Sequence, residues 1–362
     1  MSVRVRPAIA ELAAYQPGRS AADLARELGM SQAIKLASNE IAYPPLPSVV
    51  AAIAEAACDV NRYPDNGATD LTAALARRFD LPVESVAIGC GSVSLCQQLL
   101  QSFTGPGDEV LVGWRSFEAY PLLVTVAGAT LVRVPLREQT HDPEAMAAAI
   151  TDATRVMFVC NPNNPTSTAL GSAGLKILLD AVGPDTLIVI DEAYREFVTD
   201  PDIPDGRELM RGRPNVCVLR TFSKAYGLAG LRVGYLLAED PVIATAVRKT
   251  YVPFSVSTLA QVAAVASLRA EDEMRERCGA VVSERERVTA ALVDLGQPVP
   301  KSHANFVWLP LGPDALEFAG FCEARGVIVR PFAGDGARVT IGQPQENDAF
   351  LSAVADWDGS RG

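Results

Sequence analysis

The chain reads as an α/β protein: a large unit on a mostly parallel sheet covered by helices on both faces, and a smaller α+β unit assembled from the two chain ends. Three observations predict this. Between about Val49 and Glu239, short apolar runs alternate with stretches whose apolar residues recur every three or four positions, as buried parallel strands and covering helices do. After Pro241 that alternation gives way to long amphipathic stretches and a few shorter strands. Finally, 362 residues are too many for one small core, so two packed regions are expected, one over 46–245 and one joining 1–45 to 246–362.

The elements follow in order. ATDLTAALARRF (68–79) sets Leu71, Leu75 and Phe79 on one helical face. SVAIG (85–89) reads as a buried strand, and SVSLCQQLLQSF (92–103) as a helix that Ser92 is placed to cap. The series continues with DEVLVG as a strand, FEAYPLLVTVAG as a helix, TLVRVP as a strand, HDPEAMAAAI as a helix and RVMFVC (155–160) as a strand. A helix near 171–183 precedes strands TLIVID (186–191), NVCVLR (215–220) and RVGYLL (232–237). Amphipathic helices then span about 255–294, strands fall at NFVWLP, VIVRP and RVTIG, and a last helix starts near Gln345.

Composition excludes several functions. A net charge of −11 provides no basic surface to neutralise phosphates, so nucleic acid is not an expected partner. The N-terminal MSVRVRPAIAELAAYQPG lacks an uninterrupted apolar core, and no window approaches 18 apolar residues. Neither a signal peptide nor a membrane span is expected, and the chain is placed in the cytoplasm. The seven cysteines form no CxxC pair and suit a reducing compartment as small buried hydrophobes. Two histidines make a histidine-based metal site an unexpected feature. No GxGxxG follows a first strand, which excludes a Rossmann dehydrogenase. The acidic balance also speaks against a ligand-sensing regulator with an added DNA-binding unit.

Four segments where strands end carry chemistry, and ligands of open α/β sheets bind outside such ends. IGCGSVSL (88–95) feeds two glycines and a serine into a helix, which suits either an ordinary capped turn or a phosphate at the helix start. CNPNNPTS (160–167) forces an irregular loop that turn chemistry alone would also explain. VIDEAYREF (189–197) brings Asp191 and Glu192 to a strand end, where they are solvated, partnered or metal-bound. LRTFSKAYGLAGLRVGY (219–235) puts Lys224 among small and apolar residues, with Arg232 following. A lysine in dry surroundings becomes a nucleophilic amine, whereas the alternative is one that snorkels to the surface.

The joint occurrence of NPNNPT, DEAY and SKAYGLAGLRVGY, in that order and spacing, resembles the fold-type I pyridoxal-phosphate aminotransferases, in their histidinol-phosphate and aromatic branch. The resemblance runs from LASNE (36–40) to RVTIG (338–342). It implies a pyridoxal 5'-phosphate cofactor, amino acid and 2-oxo acid substrates, and a homodimer with shared sites. It implies a Schiff-base and proton-shuttling role for Lys224, and pairing of Asp191 with the pyridine nitrogen. Asn164 and Tyr194 would bond the ring's 3′-oxygen. Thr221, Arg232 and the Gly91–Ser92–Val93 turn would hold the phosphate. Phe117 matches the aromatic that stacks on the ring, with Trp114 as its rival. Tyr63 matches a tyrosine reaching the other subunit's cofactor, and Arg338 the arginine that forks onto the substrate α-carboxylate.

The chain also departs from the commoner pattern. NPTS replaces NPTG, putting Ser167 in the glycine place; Val93–Ser94 replaces an Asp-Glu pair, and NEIAYPP replaces an NENP-type run. The last two, with GWRSFEAY and YVPFSVS, resemble the actinobacterial-type aromatic aminotransferases. Phe254 stands where histidinol-phosphate enzymes often carry a tyrosine, and an apolar ring there favours an aromatic substrate. Arg330 matches an arginine that can bind the phosphate of histidinol phosphate. An aromatic L-amino acid is the expected donor, with histidinol phosphate the alternative.

Overall fold

The structure, a computed structural model, describes residues 3–13 and 19–359, apart from the side chain of residue 358. Parts of the predicted smaller unit, residues 1–2, 14–18 and 360–362, lie outside the described residues. The strands are β1 (Ile34–Lys35), β2 (Val86–Gly89), β3 (Glu109–Trp114), β4 (Thr130–Pro135), β5 (Thr154–Cys160), β6 (Leu187–Asp191), β7 (Val216–Thr221), β8 (Gly234–Ala238), β9 (Phe306–Leu309), β10 (Val327–Ile328), β11 (Arg330–Phe332) and β12 (Gly336–Thr340).

Seven of them form one sheet in the order β2-β8-β7-β6-β5-β3-β4. All its pairings are parallel except those of β8, which runs antiparallel to β2 and β7. Side chains alternate across the pleat, so a strand buried on both sides must be apolar throughout. β6 does this: Leu187 and Val189 enter the core on one face, Ile188 and Ile190 the core on the other. The first of these cores holds Leu95, Leu99, Tyr120, Val124 and Val247, from helices Ser92–Phe103, Ala119–Ala127 and Pro241–Thr250. The other holds Leu75, Phe79, Leu178 and Ala260, from helices Thr69–Phe79, Ser172–Ala181 and Thr258–Arg269.

The two chain ends meet in a two-stranded sheet, and the C-terminal part adds a three-stranded one. β1 pairs in parallel with β10, Ile34 opposite Val327, and β11-β12-β9 form an antiparallel sheet. Within that sheet Arg330 and Arg338 are direct register partners.

Three sequence expectations need correction. Ser92 does not cap its helix: it is the first helical residue, Gly91 precedes it with φ 76°, and no side chain accepts from the helix's leading N–H groups. The predicted strand RVGYLL starts only at Gly234, because Arg232 sits in the left-handed region with φ 58°. Helix Pro241–Thr250 falls where no element is predicted, although Asp240 caps it by accepting from the Val242 N–H and Pro241 suits its first turn. No helix among the described residues is long and apolar enough to cross a membrane.

Candidate active site

The carboxyl ends of β5, β6 and β7 open into a cavity of about 240 Å³, closed from above by residues 37–40 and by Arg330 and Arg338. Its lining includes Ser92, Val93, Phe117, Asn164, Asp191, Tyr194, Thr221, Lys224 and Arg232. Four segments that are far apart in sequence thus face one space.

At one end sit the groups suited to an anion. The uncapped N-terminus of helix Ser92–Phe103 leaves backbone N–H groups and the positive end of the helix dipole facing the cavity. Glycine at 91 is required twice over: its φ is positive, and a Cβ there would lie 2.5 Å from Arg232 Nη2. Arg232 donates to the Ala229 carbonyl at 3.0 Å. Thr221, at the end of β7, donates its hydroxyl to Ser223 Oγ at 2.9 Å and accepts the Ser223 N–H at 3.1 Å.

The middle holds an amine and a carboxylate. Lys224 Nζ donates to the Ser38 carbonyl at 3.2 Å. Desolvation, followed by the nearby Arg338 charge, lowers its pKa to about 7. Asp191 ends β6 and is 3% exposed; its Oδ2 accepts the Tyr120 hydroxyl at 2.7 Å, while its Oδ1 has no hydrogen-bond partner. Burial raises the carboxyl pKa to about 6 against the opposing effects of that hydrogen bond and of the nearby Ala193 N–H. Its neighbour Glu192 takes no part here: it turns away to the buried Arg220 at 2.7 Å, which also binds Asp205.

The other end is built by the NPNNPTS loop and the meeting of the chain ends. Asn161 and Asn163 serve the turn, the first bonding the backbone of Leu170 and the second Ser116, Thr166 and the Arg115 carbonyl. Their neighbour Asn164 faces the cavity and accepts from Arg338 Nη1 at 2.5 Å. Arg338 Nη2 donates to the Ala37 carbonyl at 2.6 Å. The Tyr194 hydroxyl accepts from Asn39 Nδ2 at 2.9 Å, and burial pushes its pKa well up. Arg330 forms an ion pair with Glu118 at 3.0 Å. Ser167 adopts φ 62° in full burial and donates to the Thr166 carbonyl, so the turn tolerates serine in the left-handed conformation that glycine favours.

The structure separates the two aromatic candidates of GWRSFEAY. Phe117 lines the cavity, edge-on to Tyr120 at 5.4 Å, whereas Trp114 lies between the guanidinium groups of Arg115 and Arg133 at 5.1 and 4.9 Å. Tyr63 and Phe254 are not brought to the cavity of their own chain. They stack on each other at 4.7 Å, 83% and 42% exposed. Sequence reasoning passes over Tyr120, Asn39, Ser223 and Glu118; the one available signal is their nearness to FEAY, LASNE and the lysine.

The family model for aminotransferases of class I and II matches residues 31–354. The chain belongs to that family. This aminotransferase is 59% identical over 354 residues to the aromatic amino acid aminotransferase of Thermobifida fusca strain YX, covering 98% of this chain and 97% of the relative. It is 57% identical over 357 residues to the protein of that name from Mycobacteroides abscessus, covering 99% and 100%. Among solved structures, the aminotransferase resembles the histidinol-phosphate aminotransferase of Sinorhizobium meliloti in complex with pyridoxal-5'-phosphate, with a TM-score of 0.89, 30% identity, and coverage of 100% and 99%.

Proposed function

We propose that this aminotransferase uses pyridoxal 5'-phosphate to move amino groups between aromatic L-amino acids and 2-oxo acids. One observation supports the cofactor above all: Asp191 Oδ1 is buried and unpartnered in the same cleft as Lys224. A buried carboxylate oxygen without a donor is costly, and a pyridinium N–H is a donor of the right charge. Bound there, the cofactor supplies an electron sink that stabilises negative charge at the substrate Cα.

The protein's own groups divide the remaining work. Lys224 Nζ would hold the cofactor, for which a neutral amine is needed, and would carry a proton at the substrate Cα. Asp191 holds positive charge at the pyridine nitrogen. Asn164 and Tyr194 would hydrogen-bond the 3′-oxygen, and Phe117 would cover one face of the ring. The phosphate is held by Thr221, Arg232 and the N–H groups that follow Gly91 at Ser92 and Val93. Gly91→Ala is therefore expected to strain the turn, displace Arg232 and raise the cofactor's dissociation constant about tenfold or more. Fluorescence titration of the cofactor-free variant measures this, and an unchanged constant would remove Gly91 from the phosphate site.

Arg338 forks onto the substrate α-carboxylate with Asn164 beside it. A homodimer is supported by the exposed Tyr63–Phe254 stack and by the exposure of Val60 and Val252, their neighbours in sequence. In it, Tyr63 and Phe254 serve the second subunit's cleft. We place the working enzyme in the cytoplasm, with 46–245 as the cofactor-binding unit and the two chain ends, 1–45 and 246–362, forming a smaller one.

The aromatic donor is supported by the full-length relatives of that name at 59% and 57% identity. The competing donor, histidinol phosphate, draws support from Arg330 in the cavity lining. Visible absorption of the cofactor-loaded protein decides between them: L-phenylalanine is expected to convert it to the amine form of the cofactor. Conversion by histidinol phosphate alone would overturn the aromatic reading.

A further inference from the structure

We infer that Glu118 sets the anion selectivity of the cleft, favouring a carboxylate over a phosphate at the substrate-anchoring end. The inference rests on the reading of Arg338 as the substrate anchor and adds what that reading leaves open: which anion the anchor accepts.

The observation is a pair of arginines and the company one of them keeps. Arg330 and Arg338 stand directly opposite on neighbouring antiparallel strands, β11 and β12. Their side chains share one face of that sheet, and both line the same cavity. Two adjacent guanidinium groups form a clamp for a doubly charged tetrahedral anion such as a phosphate ester. A singly charged carboxylate needs only one.

Glu118 alters this balance. Its carboxylate accepts from Arg330 Nη2 at 3.0 Å, with the two side chains 32% and 20% exposed. Both partners line the same cavity as Arg338 and Phe117. An incoming phosphate dianion loses the second guanidinium and meets a like charge; an α-carboxylate facing Arg338 needs no second guanidinium and, with half the charge, is repelled less. Discrimination by an unfavourable charge against the wrong ligand is as effective as an added contact for the right one. Histidinol phosphate carries a phosphate ester where an amino acid carries its carboxylate, so Glu118 separates the two donors at the position where they differ. Phe332, 5.9 Å from the Arg330 guanidinium and 5.7 Å from that of Arg338, gives both arginines an apolar backing.

The test uses unreactive ligands with a common aromatic end, 3-phenylpropanoate and 3-phenylpropyl phosphate, as competitive inhibitors of the cofactor-loaded enzyme. Glu118→Gln keeps the shape and removes the charge. It is expected to shift the ratio of the two inhibition constants about tenfold or more toward the phosphate. Adding Arg330→Met to Glu118→Gln is expected to cancel that shift, and Glu118→Ala to reproduce it should the glutamine find a new partner. A ratio unchanged in both Glu118 variants overturns the inference. That failure is distinct from failure of the aromatic reading, which would show in the unaltered enzyme as turnover of histidinol phosphate without turnover of L-phenylalanine.

Discussion

Replacing Lys224 with alanine is expected to lower transamination by about 10⁴-fold or more, since in the proposed mechanism one side chain both anchors the cofactor and moves the proton. Steady-state turnover of L-phenylalanine measures it, and full activity without added amine would rule the assignment out. The same residue predicts a pH dependence. Burial and the charge of Arg338 place the Nζ pKa near 7, below the ordinary lysine range. The reactive neutral amine therefore predominates above about pH 7, several pH units earlier than for a solvated lysine. Cofactor capture by the cofactor-free protein should accelerate as pH rises through 7 and level off beyond it. A rate still climbing towards pH 10 would mean that Lys224 keeps ordinary basicity in the cleft.

Asp191→Asn is expected to have two opposed effects. With cofactor, loss of the charge facing the pyridine nitrogen should cost about 10²–10³-fold in turnover, the scale of removing one preorganised electrostatic partner. Without cofactor, the variant should be the more stable protein. The folded carboxyl has its pKa raised to about 6 from 3.8, so the native state holds its proton more tightly than the unfolded chain does. Below pH 4 both states are protonated and there is no penalty. Between about pH 4 and 6 the penalty grows, and above pH 6 it stands at about 3 kcal/mol. Asparagine lacks that charge and still accepts the Tyr120 hydroxyl. Denaturant unfolding of the two cofactor-free proteins should show a gap at pH 8 that closes toward pH 4. Equal stabilities at pH 8 would mean that the carboxylate has found solvent or another donor.

The sequence exposes those parts of the fold whose physics is local. β6 is legible because a strand buried on both faces has to be apolar throughout, and Leu187–Ile190 satisfies that with no ambiguity of period. Helix Ser92–Phe103 is legible from its spacing, but its cap is not: whether a serine stands before or inside the first turn depends on one φ angle at Gly91. Asp191 stands out because it ends the apolar run Leu187–Ile190, whereas Asn164 and Lys224 come a few residues after their strands and are marked only by the joint NPNNPT and SKAYGLAGLRVGY motifs. Tyr120 carries no such mark. It sits at helical spacing among Leu123 and Val124, as any core aromatic does, and only the folded chain brings its hydroxyl to Asp191, 71 residues away. The Glu118–Arg330 pair spans 212 residues and is equally invisible in one dimension. The sequence leaves the choice between Phe117 and Trp114 open, since what separates them is the placement of Arg115 and Arg133 over the indole.

The meeting of the chain ends above the sheet also governs when activity can arise. Asn39 is held by Thr340 across 301 residues, and Arg338 reaches the Ala37 carbonyl over a similar span. Closing a loop of that length costs on the order of 5 kcal/mol in chain entropy, recovered only when both ends are in place. On the ribosome, the sheet, the lysine and the phosphate cradle all emerge while the anchoring arginine is still unmade. With the roles proposed above, a nascent chain completes its cofactor platform well before it can anchor a substrate, and the capacity to turn over waits for Arg338.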